Sequence, residues 1–434
     1  MTVASVELWG RRVGAVQIED GYAAAVFQYD PEFARSGIQV APLTMPLREQ
    51  PYEFTGLGEV AFHGLPGLLA DSLPDRFGTA LIEAWLARQG RSMRDFNSVD
   101  RLCYVGRRAM GALEFKPVIG PRSSRSKAID VNALVELASA ILTRRGKFSA
   151  SFADDDLTRS VTDILLVGTS AGGARAKAVV AYNPETKEVR SGQVDVDPGF
   201  EHWILKFDGV SGNDDKDLHQ PLGYGAIEFA YSEMARAAGI DMTACRILEE
   251  GERRHFMTRR FDRDVHGDKL HMQSLGALRH YDYMQSGAHS YEEAFDTCRR
   301  LDLSMHDLEQ MYRRMVFNIL ACNNDDHVKN IAFLMGRDGG WSVTPAFDVT
   351  YAFRPDGPWT SRHQMTVNEK QSGFSRKDLE ECAQVAGLRR GRGTELLAEV
   401  GEAVSGWMGF ASEAKVGAQD VERIAAAHDH CSLL

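Results

Sequence analysis

Seven apolar side chains, Leu308, Met311, Tyr312, Met315, Val316, Ile319 and Leu320, recur at steps of three and four. That spacing places them on one face of a helix, and a face of that size must be buried. Directly behind it the chain becomes polar, in Asn324-Asp325-Asp326-His327-Val328-Lys329-Asn330. A carboxylate-bearing loop at the end of a buried helix is held to the rigidity of the core, so the chain needs a helical lobe built around this segment.

Composition narrows the surroundings. The 434 residues carry 50 Lys+Arg and 61 Asp+Glu, a net charge of −11, which disfavours a surface that binds nucleic acid as a whole. No window reaches ~18 uninterrupted apolar residues, so no transmembrane helix is expected. The start, MTVASVELWG, lacks a basic segment followed by an apolar one, and no secretory signal is expected either. Six cysteines are scattered without a CxxC pair, which fits reduced thiols in a cytoplasmic protein and gives no structural zinc site.

The patterning predicts three regions. Residues 2–30 alternate as short strands separated by Gly and Asp, a helix is predicted between Pro74 and Arg88, and CYVGRRAMGALEF reads as a hairpin returning to the first sheet. The small, basic stretch Gly120–Lys127 reads as a linker, closing an α+β unit over 1–120. After a helix from Asp130 to Thr143, ILLVGTSAGGARAKAVVAY reads as strand, glycine-rich turn and strand. WILKF and HFMTRRF are further strands, with an amphipathic helix from Ala226 that stops at Gly239. This gives a strand-rich unit over 128–265. The rest, 266–434, reads as mostly helical, with one hairpin at IAFLMGRDGGWSV.

The chemistry-bearing residues fall in a definite order. Asp325 and Asn330 form Asp-x4-Asn, the spacing at which a carboxylate can accept a hydrogen bond from an attacking hydroxyl while an amide reaches back to a metal on phosphates. Alone, the match equally fits a polar loop capping a helix. Asp348, eighteen residues later past the hairpin, supplies a second oxygen ligand of the kind magnesium takes; a plain turn residue is the alternative. Gly172, Gly173, Ala174, Arg175, Ala176 and Lys177 lie in a small-residue turn whose backbone could approach phosphates. It is not a Walker A loop, because Ala174 stands where Lys is required. Lys206 ends an apolar strand, and Glu228, placed in the first turn of the following helix, is its candidate ion-pair partner. Otherwise Lys206 is an edge lysine with its head in water. His327 lacks a second ligand at metal spacing, so zinc is unsupported.

Taken together, WGRRVGAV, PLTMPL, LADSLPDRFG, GGARAK, ILKF, RRFDR, NDDHVKN and TPAFDVTYAF occur in the order of a known family. The chain resembles the HipA-like serine/threonine kinases, the toxin halves of bacterial toxin–antitoxin modules, over nearly its whole length. The resemblance implies a bilobal, α+β protein-kinase-like fold, with a strand-rich N-lobe, a helical C-lobe and an added N-terminal α+β subdomain. It implies ATP and Mg2+ as cofactors. Asp325 matches the catalytic base, Asn330 and Asp348 the magnesium ligands, and Lys206 the lysine on the ATP phosphates. Gly172 to Lys177 match the phosphate loop, and Ser170 the serine whose autophosphorylation ejects that loop. Arg259, Arg260 and Phe261 match the hinge beside adenine, contacted through backbone, while His327, Val328, Lys329 and Phe347 flank the same nucleotide. The implied substrate is a protein serine, on an aminoacyl-tRNA synthetase in the best-known case, and the implied partner is a small helix-turn-helix antitoxin that carries the complex to operator DNA. Asp326, Arg259 and Arg175-Ala176 stand where the best-known member has Gly, Glu and Gln-Glu. A non-catalytic co-repressor module and a small-molecule phosphotransferase are the readings that compete with the kinase.

Overall fold

The computed structural model describes residues 2–19, 21–121, 126–143, 164, 175–193, 196–211, 222–264 and 266–431. Three antiparallel sheets organise them. The first has the order β4-β3-β2-β1-β5, from β1 (Thr2–Leu8), β2 (Arg11–Ile18), β3 (Val26–Tyr29), β4 (Tyr52–Glu53) and β5 (Leu113–Lys116). Leu8 pairs with Arg11 across a two-residue turn in which Trp9 and Gly10 both have positive φ, 51° and 78°. This is the turn whose twist matches that of the paired strands. The segment read as a hairpin from Cys103 is instead the end of a helix, Ser98–Val105, followed by β5. An Asn97–Asp100 capping box starts that helix, and its apolar face packs into the core of the first sheet.

The second sheet has the order β7-β6-β8-β10-β9, from β6 (Lys177–Tyr182), β7 (Val189–Ser191), β8 (Glu201–Lys206), β9 (Cys245–Glu250) and β10 (Arg253–Arg259). Ile164, the start of the strand expected ahead of the glycine turn, is helical and buried. The helix Tyr224–Ala237 lies against β10 so closely that a side chain at Gly225 would strike the carbonyl of Arg254. Gly239, with φ 75°, follows it and ends it as expected. The core beneath this sheet joins Leu134, Val135 and Ala138 of the helix Val131–Thr143 to Phe77, Ala80 and Leu81 of the helix Arg76–Ala87.

The helical region is centred on Met305–Leu320. A Ser304–Asp307 capping box opens this helix, and Met311, Tyr312, Met315, Val316, Phe317, Ile319 and Leu320 are buried along it. Cys322, at φ 51°, turns the chain out of the helix. A third sheet, β11-β12-β13 (His271–Ser274, Ala332–Met335, Trp341–Val343), includes the expected hairpin and one strand, β11, that the sequence pattern did not announce. Among the described residues no helix is long and apolar enough to cross a membrane.

The N-terminal sheet is tied to the rest by polar bonds. Asp71 accepts from Ser274 N at 2.6 Å and from Ser274 Oγ at 2.8 Å, and Trp9 Nε1 donates to Lys269 O at 2.7 Å. A further tie is Asp262, which has no solvent exposure. It accepts from Arg260 Nε at 2.8 Å and Nη2 at 2.6 Å, from Arg263 Nη1 at 3.0 Å, and from the Gly111 amide at 2.7 Å. Burial penalises its charge, but the two guanidinium groups hold its pKa far below the usual carboxylate range. A depressed folded pKa contributes stability that is present above the unfolded value of ~3.9 and lost as pH falls toward the folded one. Asp262→Asn should therefore cost about 3–5 kcal/mol at neutral pH, by leaving buried guanidinium charge unmatched. Urea denaturation from pH 7 to pH 3 should also show the gap to the parent chain narrowing as acid is approached.

Candidate active site

Four chain segments converge at the boundary between the second sheet and the helical region. Lys206 ends β8, the middle strand of its sheet, so it is not an edge lysine. Its Nζ donates to Glu228 Oε1 at 2.6 Å and also bonds Asp348 Oδ1. Glu228 is the fifth residue of the helix Tyr224–Ala237, one turn deeper than expected. Asp348 has φ 51°, in the left-handed region, where a non-glycine residue is held only by its surroundings.

The electrostatics follow from two carboxylates sharing one ammonium out of water. Burial disfavours the Lys206 charge, but Asp348 and Glu228 hold its pKa above the ordinary value. Burial likewise works against Asp348, yet Lys206 and the more distant Lys177 keep its pKa below the usual range. Glu228 is pushed up, by burial first and by the neighbouring Asp348, with Lys206 opposing. The carboxylates are thus driven apart in pKa, Asp348 downward and Glu228 upward. Two carboxylates facing one ammonium favour a further cation beside Asp348.

Asp325 and Asn330 arrive from the loop after Met305–Leu320. Asn330 Nδ2 donates to the Asp325 carbonyl at 2.8 Å, which closes the loop and leaves the amide oxygen as the group to face a ligand. Asn330, Phe347 and Asp348 line one cavity with Ala346 and Asp326. Among the described residues there is no cluster of three or more His, Cys, Asp or Glu side chains able to cage a metal. One carboxylate and one amide on a shared cavity nevertheless suit magnesium, which takes few protein oxygens and fills the remainder with phosphate and water.

The other expected residues divide. His327 Nε2 lies 3.8 Å from Asp325 Oδ1. Val328 is buried in the helical core, its carbonyl accepting from Gly276 N, and Lys329 Nζ sits 4.7 Å over the Tyr283 ring. The structure does not bring Val328 to the cavity. At the expected hinge, the Arg259 and Arg260 amides are spent on Ala244 O and His202 O, both at 2.9 Å, and the Arg260 side chain is committed to Asp262. Phe261 stands with its ring 5.6 Å from that of Phe347. Arg175 lies 3.3 Å over the Tyr224 ring, and Ala176 is buried in the core under the second sheet. Ser170, Gly172, Gly173 and Ala174 lie outside the described residues.

Lys177 pairs across the sheet with Lys206 and is buried against Asp75, Nζ to Oδ2 at 3.2 Å. Asp75 also caps the helix Arg76–Ala87 through the Gly78 amide at 2.7 Å. The cap was signalled by Pro74-Asp75 ahead of a helical pattern; its pairing with Lys177 carried no local signal. Neither did three further contacts of the loop. Trp359 Nε1 donates to Asp325 Oδ1 at 2.8 Å, and Asp326 accepts from Tyr291 Oη at 2.9 Å and bonds His363 Nδ1 at 3.0 Å.

The α+β architecture is kinase-like, and within it a strand lysine is salt-bridged to a helix glutamate while a loop Asn and a further Asp share one cavity. The comparisons agree. The family model for the HipA N-terminal domain matches residues 4–116, and that for the HipA-like C-terminal domain matches residues 169–408, more than half of the chain. The chain belongs to the HipA family. Its fold matches the solved complex of HipA, HipB and operator DNA from the Shewanella oneidensis MR-1 toxin–antitoxin system. The TM-score is 0.68 at 17% identity, over 99% of this chain and 96% of that one. The Helicobacter pylori proinflammatory kinase CtkA aligns over 53% of this chain and 90% of its own, at TM-score 0.30 and 10% identity, too low to bear on the fold. No curated protein is matched.

Removing the shared cation is a direct probe of this cluster. In Lys206→Met the buried carboxylates lose their partner and their folded pKa values rise above the unfolded ~4. The folded variant then binds more protons than the unfolded chain, so its stability should increase as pH falls. Urea titrations should show a deficit of about 3–5 kcal/mol at pH 8 that shrinks toward pH 5.

Proposed function

We propose that the chain is an ATP- and magnesium-dependent serine/threonine protein kinase and the toxin of a toxin–antitoxin module. The observation that carries this reading is Lys206 held between Glu228 and Asp348, with Asn330 on the cavity that Asp348 lines. In this reading Lys206 orients the nucleotide phosphates, and Glu228 keeps its ammonium in place. Asp348 and Asn330 hold the metal, whose contribution when bound is to neutralise charge developing on the transferred phosphoryl group. Asp325 accepts the hydrogen bond of the acceptor hydroxyl and fixes it in line. Catalysis is then mostly placement and charge neutralisation. A chain serving only as a co-repressor would have no need of a charged trio whose burial costs free energy.

The substrate is a protein serine or threonine, with an aminoacyl-tRNA synthetase as the first candidate and translation arrest as the consequence. The partner is a HipB-like helix-turn-helix antitoxin, in keeping with the complex from Shewanella. With a net charge of −11, the chain meets operator DNA mainly through that partner, in the cytoplasm. Ser170 is the autophosphorylation site.

Asp325→Asn and Asp348→Asn should each abolish ³²P transfer from γ-labelled ATP while the thermal midpoint stays within a few degrees; undiminished labelling in either would remove the assignment. Mass spectrometry after incubation with Mg-ATP should find phosphate on Ser170 in the parent chain and none in Asp325→Asn.

A further inference from the structure

The loop that carries Asp325 is stitched, residue by residue, to one later segment. Asn324 Nδ2 donates to Thr360 O at 3.0 Å. Asp325 Oδ1 accepts from Trp359 Nε1 at 2.8 Å. Asp326 Oδ1 accepts from the Gln364 amide at 2.8 Å, and its other oxygen bonds His363 Nδ1 at 3.0 Å. The turn also grips itself, Gln364 Nε2 donating to Trp359 O at 2.6 Å. Asn324, Asp326, Thr360, His363 and Gln364 are all 5% exposed or less. Within this frame the Asp325 side chain keeps 23% of its surface open, and the only indole in the turn donates to one of its oxygens.

We infer that Trp359 is a positioning residue for Asp325, and that the 359–364 turn forms the acceptor side of the site. A carboxylate on a single side-chain bond can present either oxygen. A donor fixed on Oδ1 sets the plane of the group, and with it the direction from which the acceptor hydroxyl is met. An indole suits the task, because its N–H only donates and has no acceptor with which to compete for the incoming proton. Nor is Trp359 a plug that substrate must push out. Its carbonyl and its neighbour Thr360 are bonded to buried groups, so leaving would break the bonds that hold Asn324 and Asp326. Alignment to within a fraction of an ångström decides whether a bound hydroxyl reacts.

This inference rests on the kinase reading. It is tested by Trp359→Phe in the full chain, following autophosphorylation with γ-³²P-ATP and Mg2+ at saturating and limiting ATP. The expected result is a turnover at saturating ATP reduced by about ten-fold or more, with KM for ATP and the thermal midpoint unchanged. Placing 3-benzothienylalanine at position 359 keeps the shape of the ring and replaces N–H with sulfur, so it should reproduce the loss if Phe packs poorly. Full turnover in both variants overturns the inference and leaves the kinase reading intact. So does a rise in turnover, which would make Trp359 a plug, or a parallel loss of ATP affinity and stability in both variants. A parent chain without any phosphoryl transfer overturns the kinase reading, and this inference with it.

Discussion

A lysine buried between two carboxylates is the constraint around which the active region is arranged. Lys206, Glu228 and Asp348 come from a strand, a helix and a left-handed turn, so their contact holds three elements in register at once. None of the three could be buried alone without a penalty of several kcal/mol. The helix Tyr224–Ala237 can bring Glu228 near enough only because Gly225 lets it close on the backbone of β10. Asp348 reaches Lys206 only because the third sheet and the turn beyond it hold an otherwise unfavourable backbone conformation.

The same logic recurs at the junction with the N-terminal region. Asp262 sits between two arginines and an amide of the first unit, and Asp75 reaches from that unit to Lys177 at the start of β6. Both are buried charges matched at close range, and both cross between regions that the sequence presents as separate. Such pairs contribute modestly to net stability compared with apolar packing, but they tolerate only one arrangement of their partners. The junction is therefore specified geometrically as well as buried.

How much of this was legible beforehand depended on the range of each interaction. The buried stripe from Leu308 to Leu320 and the Asp-x4-Asn loop behind it are local patterns, and both stand where they were expected. Lys206 and Glu228 could be paired because a strand followed by a helix brings their ends together. The helix Ser98–Val105 was misread because its apolar run ends in Gly106 and mimics a hairpin, although Asn97 and Asp100 offered a capping box. β11 escaped notice because His271, Gln273 and Ser274 are polar, and their burial is purchased by distant partners such as the Val40 carbonyl. The commitments of Arg260 to Asp262 and of Trp359 to Asp325 have no periodicity at all. Side chains that meet through tertiary closure leave no trace in spacing.

The helix Arg76–Ala87 has a consequence for how the chain is made. It lies in the first quarter of the sequence, yet its Phe77, Ala80 and Leu81 complete the core of a sheet whose last strand ends at Arg259. On a ribosome, that apolar face emerges long before the surface that covers it exists. The N-terminal unit must wait, half-assembled and with an adhesive helix exposed, until well over half of the polypeptide has been synthesised. Synthesis and folding are thereby coupled in time. A chain that stalls early presents a sticky intermediate, and the kinase-like lobe is finished only when its two distant stretches of sequence meet.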